Sequence, residues 1–325
     1  LSDELALGVM VAFLFYVQRF FDPIRSLTIQ YSMMQRATVS GQRILEVLDV
    51  PKATKDAPNA LDLEQCAGEV FFQHVDFAYV PDTPVLTDIN FAIRPGEKVA
   101  IVGPTGSGKS TIAALLRRFY DVNSGQVLID GHDVRDLSQV SIGRHVAMVL
   151  QDPFLFSGTI FDNIRYANSE KGASDIEAAA RAVGAHDFIM RLPGGYQFSL
   201  DQRGVNLSRG QRQLLSFARA LVADTRILIL DEATANVDSY SEMKIQKALN
   251  SLLQGRTAIV IAHRLATIRE CDRILVLHHG RLVEEGDHDQ LIALSGLYAG
   301  LYRMNYASFD ELPGEYKAGL AASVT

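Results

Sequence analysis

The sequence predicts an α/β fold with a parallel-sheet core, an antiparallel β subdomain, an inserted helical subdomain and a long apolar helix ahead of them. Three observations predict it. The apolar run Lys98–Val102 feeds Gly103-Pro104-Thr105-Gly106-Ser107-Gly108-Lys109-Ser110, and a helical stretch over residues 111–119 follows. Residues 226–230 (RILIL) form a second apolar run, of the kind buried on both faces in a parallel sheet, and it ends in Asp231-Glu232. Between the two, Leu207-Ser208-Arg209-Gly210-Gln211 opens a helix over residues 209–221.

Taken in chain order, residues 5–17 (LALGVMVAFLFYV) are a continuous apolar run extended by Phe20 and Phe21. The run is shorter than the roughly 20 residues of a spanning helix. It is apolar on every side, however, and aromatic residues gather near its C-terminal end. Arg19, Arg25, Arg36 and Arg43 follow it, which places that end in the cytoplasm. Over residues 27–48 the pattern turns amphipathic, with Leu27, Tyr31, Met34, Val39, Ile44, Val47 and Leu48 at helical spacing. One long helix leaving a bilayer, with Pro23 as a kink, accounts for both halves. A soluble amphipathic helix with an apolar start is the other reading. Residues 51–62, polar and carrying Pro51 and Pro58, read as a linker.

From Gly68 onward, residues 70–72, 75–79 and 89–93 suggest an antiparallel sheet. The loop that follows matches G-x-x-x-x-G-K-[ST] in full, between a strand and a helix as that pattern requires. Gly103, Gly106 and Gly108 let successive N–H groups turn toward phosphate oxygens, and the helix start adds partial positive charge. Lys109 is placed to reach the β- and γ-phosphates, and Ser110 to ligate Mg²⁺. The chain is therefore expected to be a P-loop NTPase. Residues 146–150 form another strand, ending at Gln151. Residues 161–223 are Ala- and Arg-rich with helical pattern. Asp231 suits the Mg²⁺ shell, and Glu232 beside it can polarise an attacking water; without the phosphate loop such an acidic pair is as often a helix N-cap. Residues 259–262 are a strand followed by His263, at the edge where α/β sheets bind ligands. Residues 273–277 and 281–284 flank His278-His279-Gly280 as a hairpin, so the paired histidines read as a turn and not a metal site.

Composition narrows the class. Across 325 residues, 48% hydrophobic and 21% charged, the formal net charge is −7, which argues against a nucleic-acid partner. Cys66 and Cys271 are far apart with no metal-ligand spacing and read as reduced thiols. The chain begins with Leu and shows no secretory signal, and is expected to be part of a longer polypeptide.

With these pieces in order, residues 69–302 resemble the nucleotide-binding domain of ATP-binding-cassette transporters. The resemblance assigns Tyr79 to adenine stacking and residues 103–111, Thr111 included, to the Walker A loop. Gln151 becomes the glutamine that senses Mg²⁺ and couples to the membrane domain, Leu207 to Gln211 the signature, and residues 227–231 the Walker B strand. Glu232 is then the catalytic glutamate, Asp238 the end of the D-loop Ala235-Asn236-Val237-Asp238, and His263 the switch histidine. Ser208, Gly210 and Gln211 are expected to close over ATP held by a second nucleotide-binding domain, in a homodimer or a heterodimer. Residues before Pro51 resemble the last transmembrane helix of multidrug and lipid exporter half-transporters. The implied organisation is residues 1–50 as that helix and its extension, 51–67 as linker, 68–306 as the nucleotide-binding domain with a helical subdomain at 161–223, and 307–325 as a tail.

ATP and Mg²⁺ are the implied ligands, the chain's own transmembrane domain and the membrane the implied partners. The implied location is the inner (plasma) membrane with the ATPase on the cytoplasmic side. The expected activity is ATP hydrolysis coupled to export; the alternative is an ATP-binding, non-hydrolysing regulatory half of a heterodimeric transporter. Three positions depart from the family pattern: Arg209 within the signature, Gln202 where exporters often carry Glu, and the Ala-Asn-Val-Asp D-loop seen in heterodimeric exporters.

Overall fold

A computed structural model describes residues 7–50, 54–231, 239–261 and 265–306. It divides into two compact units, residues 1–53 and 54–325. The first is one helix, α1 (Leu7–Leu48), 42 residues long, unbroken through Pro23 and with none of its side chains buried. It is long and apolar enough to cross a membrane. Proline removes one backbone donor from the ladder. The predicted kink gives way to an uninterrupted helix. Just beyond Pro23, the Thr28 and Ser32 hydroxyls donate to the carbonyls of Ile24 and Thr28.

In the second unit the chain alternates between two sheets. β1 (Val70–Phe77) and β2 (Leu86–Ile93) belong to the first, β3 (Lys98–Val102) to the second, and β4 (Ser124–Ile129) and β5 (His132–Asp133) return to the first. Every pairing in the first sheet, ordered β2-β1-β4-β5, is antiparallel. The two short strands expected over 70–79 are one strand, β1, bulged where His74 takes φ 45 and the register slips between Phe72 and Val75. α2 (Lys109–Leu116) starts two residues before the predicted helix and ends three before it. α3 (Gln139–His145) leads into β6 (Val146–Val149). A helical insertion follows. β7 (Gly158–Thr159) and β8 (Ser199–Leu200) pair around α4 (Ile160–Arg165), α5 (Ala173–Ala182) and α6 (His186–Arg191), and α7 (Arg209–Ala223) closes it. The chain then runs through β9 (Ile227–Asp231), α8 (Ser239–Leu253), β10 (Thr257–Ile261), α9 (Leu265–Arg269), β11 (Arg273–His278), β12 (Arg281–Gly286), α10 (His288–Leu294) and α11 (Leu297–Tyr306).

The second sheet has the order β12-β11-β3-β10-β9-β6, parallel throughout except for the β11–β12 hairpin. At the hairpin tip His279 (φ 46) and Gly280 (φ 73) are both left-handed, as a two-residue turn between right-twisted strands demands. Gly280 has a further constraint: an added Cβ would lie 2.2 Å from the Val85 carbonyl oxygen.

The continuous apolar runs follow from burial on both faces. Alternate residues of β3, β9 and β10 feed two separate cores. Ala100, Val102, Leu228, Leu230, Ala258 and Val260 pack with the helical insertion. Val99, Ile101, Ile227, Ile229, Ile259 and Ile261 pack with α2 and the antiparallel sheet. The central sheet is thus the floor for both layers.

The segment read as a linker is laced to the second unit from Thr54 onward. Arg118, only 4% exposed, donates to the carbonyls of Lys55 (3.0 Å) and Leu137 (2.8 Å). Asp56 accepts from the Gln139 N–H, Leu61 N–H donates to the Asp136 carbonyl, and Leu63 N–H to the Ser141 hydroxyl.

Candidate functional site

The parallel register lines up four strand ends. Ile101 of β3 pairs with Ile261 of β10, Ile261 with Asp231 of β9, and Leu230 with Val149 of β6. Gly103, Asp231 and Gln151 therefore emerge along one carboxyl edge, the edge where open α/β sheets bind ligands. With strands about 4.8 Å apart, the phosphate loop and Asp231 are separated by about 10 Å of sheet. Glu232, Asp238 and His263 lie outside the described residues.

The loop from Gly103 to Ser110 is built as a cradle. Gly103 (φ 154), Gly106 (φ 81) and Gly108 (φ 99) all have positive φ. A Cβ on Gly103 would meet the Leu277 carbonyl oxygen of β11 at 2.2 Å, and one on Gly108 would meet Leu86 of β2 at 2.4 Å. Two neighbouring strands thus press the backbone into place from outside. Gly108 is the N-cap of α2 and offers no side-chain cap; its carbonyl accepts from Thr111 N–H at 3.1 Å, so the N–H groups of Lys109 and Ser110 are the ones the helix start turns toward a ligand. Ser107 is buried, and its hydroxyl has no hydrogen-bond partner. An orphaned buried hydroxyl costs about 1–3 kcal/mol, and an acceptor oxygen placed in the cradle relieves it.

Lys109 is buried, with its ammonium donating to the carbonyls of Gly103 and Pro104, both at 2.8 Å. Burial pulls its pKa down, and the Asp231 carboxylate opposes that shift. Lys109 and Asp231 thus act on each other across the strand ends. Pro104 is half-buried, while Thr105, Gly106 and Ser110 are exposed on the open side of the loop. Thr111 is buried, and its hydroxyl accepts from the Tyr79 phenol at 3.2 Å. Ser110, Asp231 and Gln151 each carry a side-chain oxygen, the donor type that Mg²⁺ prefers. Gln151 itself is exposed just past the end of β6.

The segment from Leu207 to Gln211 resolves into an anchor and a cap. Leu207 is buried among the helical insertion's core residues. Ser208 is the N-cap of α7: its hydroxyl accepts from Gln211 N–H at 3.2 Å, and Gln211 Oε1 accepts from Ser208 N–H at 2.9 Å. This reciprocal pair is a capping box. It fixes where the helix starts, and so where its positive end lies along the chain. Arg209 is half-buried and Gly210 buried. Ser208, Gly210 and Gln211 border a small cavity of about 150 Å³ shared with Arg191 and Lys244, in which no phosphate-loop residue takes part.

A cavity of about 1030 Å³ lies away from the phosphate loop. It lies between the central sheet and the helical insertion, bordered by Arg117, Arg144, Tyr166, Arg219 and Thr225, and by Leu150 next to Gln151. Arg117 is depressed in pKa by burial alone, and the buried Thr225 hydroxyl has no partner. Sequence reasoning did not find this groove, because its lining is scattered over five segments. Neither cysteine is in a disulfide, and burial and the neighbouring Asp130 push the Cys66 thiol up to about 12. Among the described residues no group of His, Cys, Asp and Glu is arranged as a metal cluster.

Comparison with known proteins places this geometry. Residues 86–235 match the sequence profile of the ABC transporter family. The ABC transporter ATP-binding protein YknV of Bacillus subtilis is 48% identical over 311 residues, covering 96% of this chain and 52% of that protein. A fatty acid ABC transporter ATP-binding/permease protein of Mycobacterium bovis is 43% identical over 302 residues, 93% of this chain and 48% of its own length. An ATP-dependent lipid A-core flippase of Syntrophus aciditrophicus is 44% identical over 299 residues, 92% and 50%. Among solved structures, a bacterial Atm1-family ABC exporter with ATP bound aligns with a TM-score of 0.77 at 38% identity, covering 94% of this chain and 54% of that one. The chain spans about half the length of the curated relatives it matches.

Proposed function

This chain is a member of the ABC transporter family, whose ATP-binding domains are ATPases, and on that premise we propose that it is the ATP-hydrolysing part of an exporter. The observation that carries the reading is the single carboxyl edge from which the phosphate loop, Asp231 and Gln151 emerge, with the Ser208 helix start set apart on the insertion.

In the proposed mechanism, Lys109 exchanges its bonds to the Gly103 and Pro104 carbonyls for phosphate oxygens. Ser107, Ser110, Thr111 and the N–H groups of residues 105–109 complete the cradle. Tyr79 receives the adenine ring. Ser110, Gln151 and Asp231 would hold Mg²⁺, which would supply charge neutralisation to the triphosphate. Glu232 orients and polarises the attacking water, and His263 steadies the γ-phosphate. Ser208 and Gly210, at the positive end of α7, meet ATP held by a second nucleotide-binding domain, with Asp238 at the shared boundary. Two nucleotides so sandwiched couple closure of the pair to movement of the membrane segments.

In this reading α1 is the last membrane-spanning helix, the protein sits in the plasma membrane, and the ATPase faces the cytoplasm. The groove beside Gln151 receives cytoplasmic segments of the membrane domain. Its size and its position between two layers support that role.

Glu232→Gln in the intact transporter tests the assignment. Turnover is expected to fall by at least about 100-fold, with ATP binding and ATP-held dimers preserved. ATPase assays set against size-exclusion chromatography in ATP read both quantities. Undiminished turnover would remove Glu232 from the mechanism.

A further inference from the structure

We propose that Tyr120 is a positioning residue for the nucleotide base, acting through Tyr79. The inference rests on the reading above that the Tyr79 ring receives adenine. Tyr79 lies past the end of β1 and is 49% exposed, so no strand pairing fixes its ring. A two-torsion side chain in that setting samples several rotamers unless its neighbours select one. Here they do. Phe77 meets the ring edge-on at 4.8 Å and 87°, and Tyr120 meets it at 5.0 Å and 86°. Phe77 and Tyr120 also touch, at 5.8 Å, which closes a triangle of three rings. The phenol then donates to Thr111 Oγ1.

Phe77 is the last residue of β1, while the Thr111 and Tyr120 contacts come from α2 and the turn that follows it. Thr111 is in the first turn of α2, and Tyr120 lies four residues beyond its end at Leu116. The chain reverses between them because Arg118 adopts φ 53, held there by its buried bonds to the Leu137 and Lys55 carbonyls. The returning segment is sewn to the residues just before Tyr79. Asn123 Oδ1 accepts from Ala78 N–H at 2.7 Å, and Asn123 N–H donates to the Asp76 carbonyl at 3.0 Å. The ring that stacks the base is therefore tied, through Thr111 and Tyr120, to the helix that holds the phosphates and to its return. Base and triphosphate are presented at a set separation by α2 and its return.

An edge-to-face pair is worth about 0.5–1.5 kcal/mol beyond its buried area, which converts to a roughly two- to tenfold change in affinity. The experiment compares Tyr120→Ala and Tyr120→Phe with Tyr79→Ala in the intact transporter, by steady-state ATPase kinetics and by equilibrium binding of Mg-ATP and of Mg-tripolyphosphate, which has no base. Tyr120→Ala is expected to raise the KM and Kd for ATP about two- to tenfold while leaving kcat and tripolyphosphate affinity unchanged. Tyr120→Phe, which keeps the ring, restores ATP affinity. Equal weakening of ATP and tripolyphosphate means that Tyr120 merely supports α2 and overturns the inference. So does an unchanged ATP affinity in Tyr120→Ala alongside a weakened one in Tyr79→Ala. If Tyr79→Ala itself leaves ATP affinity unchanged, the base-stacking reading fails first, and this inference with it.

Discussion

Gly103→Ala puts a methyl group where the phosphate loop has no room for one. The Cβ would sit 2.2 Å from the Leu277 carbonyl oxygen and 2.8 Å from Ser107 Oγ. The serine hydroxyl can rotate away, but the carbonyl belongs to β11, whose neighbouring residue Val276 is paired with Val102 of β3. The loop is the softer side and has to retreat by about 0.8 Å to open that separation to 3.0 Å. A misplacement of about 1 Å at a reacting centre costs about 100-fold in rate, or about 2.7 kcal/mol. The backbone conformation adds strain of about 1–3 kcal/mol. Gly106→Ala is the matched control, because Gly106 also has positive φ (81) but no atom lies within 4 Å of its Cβ. It keeps the strain and lacks the clash. Both variants are assayed for ATPase rate and for ATP affinity by titration calorimetry. Gly103→Ala is expected to lose about 100-fold in turnover and Gly106→Ala no more than about tenfold, the equivalent of 1.4 kcal/mol. Equal losses in the two would refute the argument, since the contact with β11 would then contribute nothing.

Two further outcomes follow from buried groups near Gly68. The Cys66 thiol, pushed up to about 12 by burial first and by Asp130 second, favours the protonated form in the folded state; its contribution to stability is present below the ordinary value near 9 and is lost as pH rises from there toward 12. Iodoacetamide at pH 8, read by intact mass, is therefore expected to reach Cys271 first and Cys66 only on unfolding, and early labelling of Cys66 would contradict its buried position. Thr257, 1% exposed, donates to the Gly68 carbonyl at 2.7 Å and accepts from Gly96 N–H at 2.9 Å. Thr257→Val orphans both and is expected to cost about 2–4 kcal/mol in denaturant unfolding, with Thr257→Ser retaining most of it.

What the sequence made legible follows from how each element is buried. β3, β9 and β10 sit in the middle of the sheet, so both faces are apolar and each reads as an unbroken run. β4 did not stand out, because its mixed burial leaves Ser124 and Gln126 exposed beside Val127 and Ile129. β1 read as two strands because the bulge at His74 breaks the alternation. The start of α2 was set two residues late, since Lys109 and Ser110 look like loop residues until the backbone shows the helix already turning. In the site, the phosphate loop and the helix start after Ser208 were legible in the sequence, because both depend on local backbone geometry. Arg118, Tyr120, Asn123 and Thr225 were not, since each acts on a segment distant in sequence.

The segment after Pro51 shows how composition can mislead about mechanics. Polarity and two prolines predicted a linker, and polarity is indeed what the segment uses, but to bind the unit it precedes. Arg118 is the centre of that binding. It reaches the Lys55 and Leu137 carbonyls, and pairs with Asp121 at 3.1 Å and Asp56 at 3.6 Å. Both carboxylates are about 40% exposed, so screening leaves the ion pairs worth little. The carbonyl bonds, made by a side chain 3% exposed, carry the attachment. The same arginine sets the turn that returns Tyr120 to Tyr79, and its Leu137 contact lies just before α3, which runs into β6 and Gln151. One buried guanidinium thus bonds at once to the entry segment, to the turn that leads to Tyr120 and to the stretch that leads into α3.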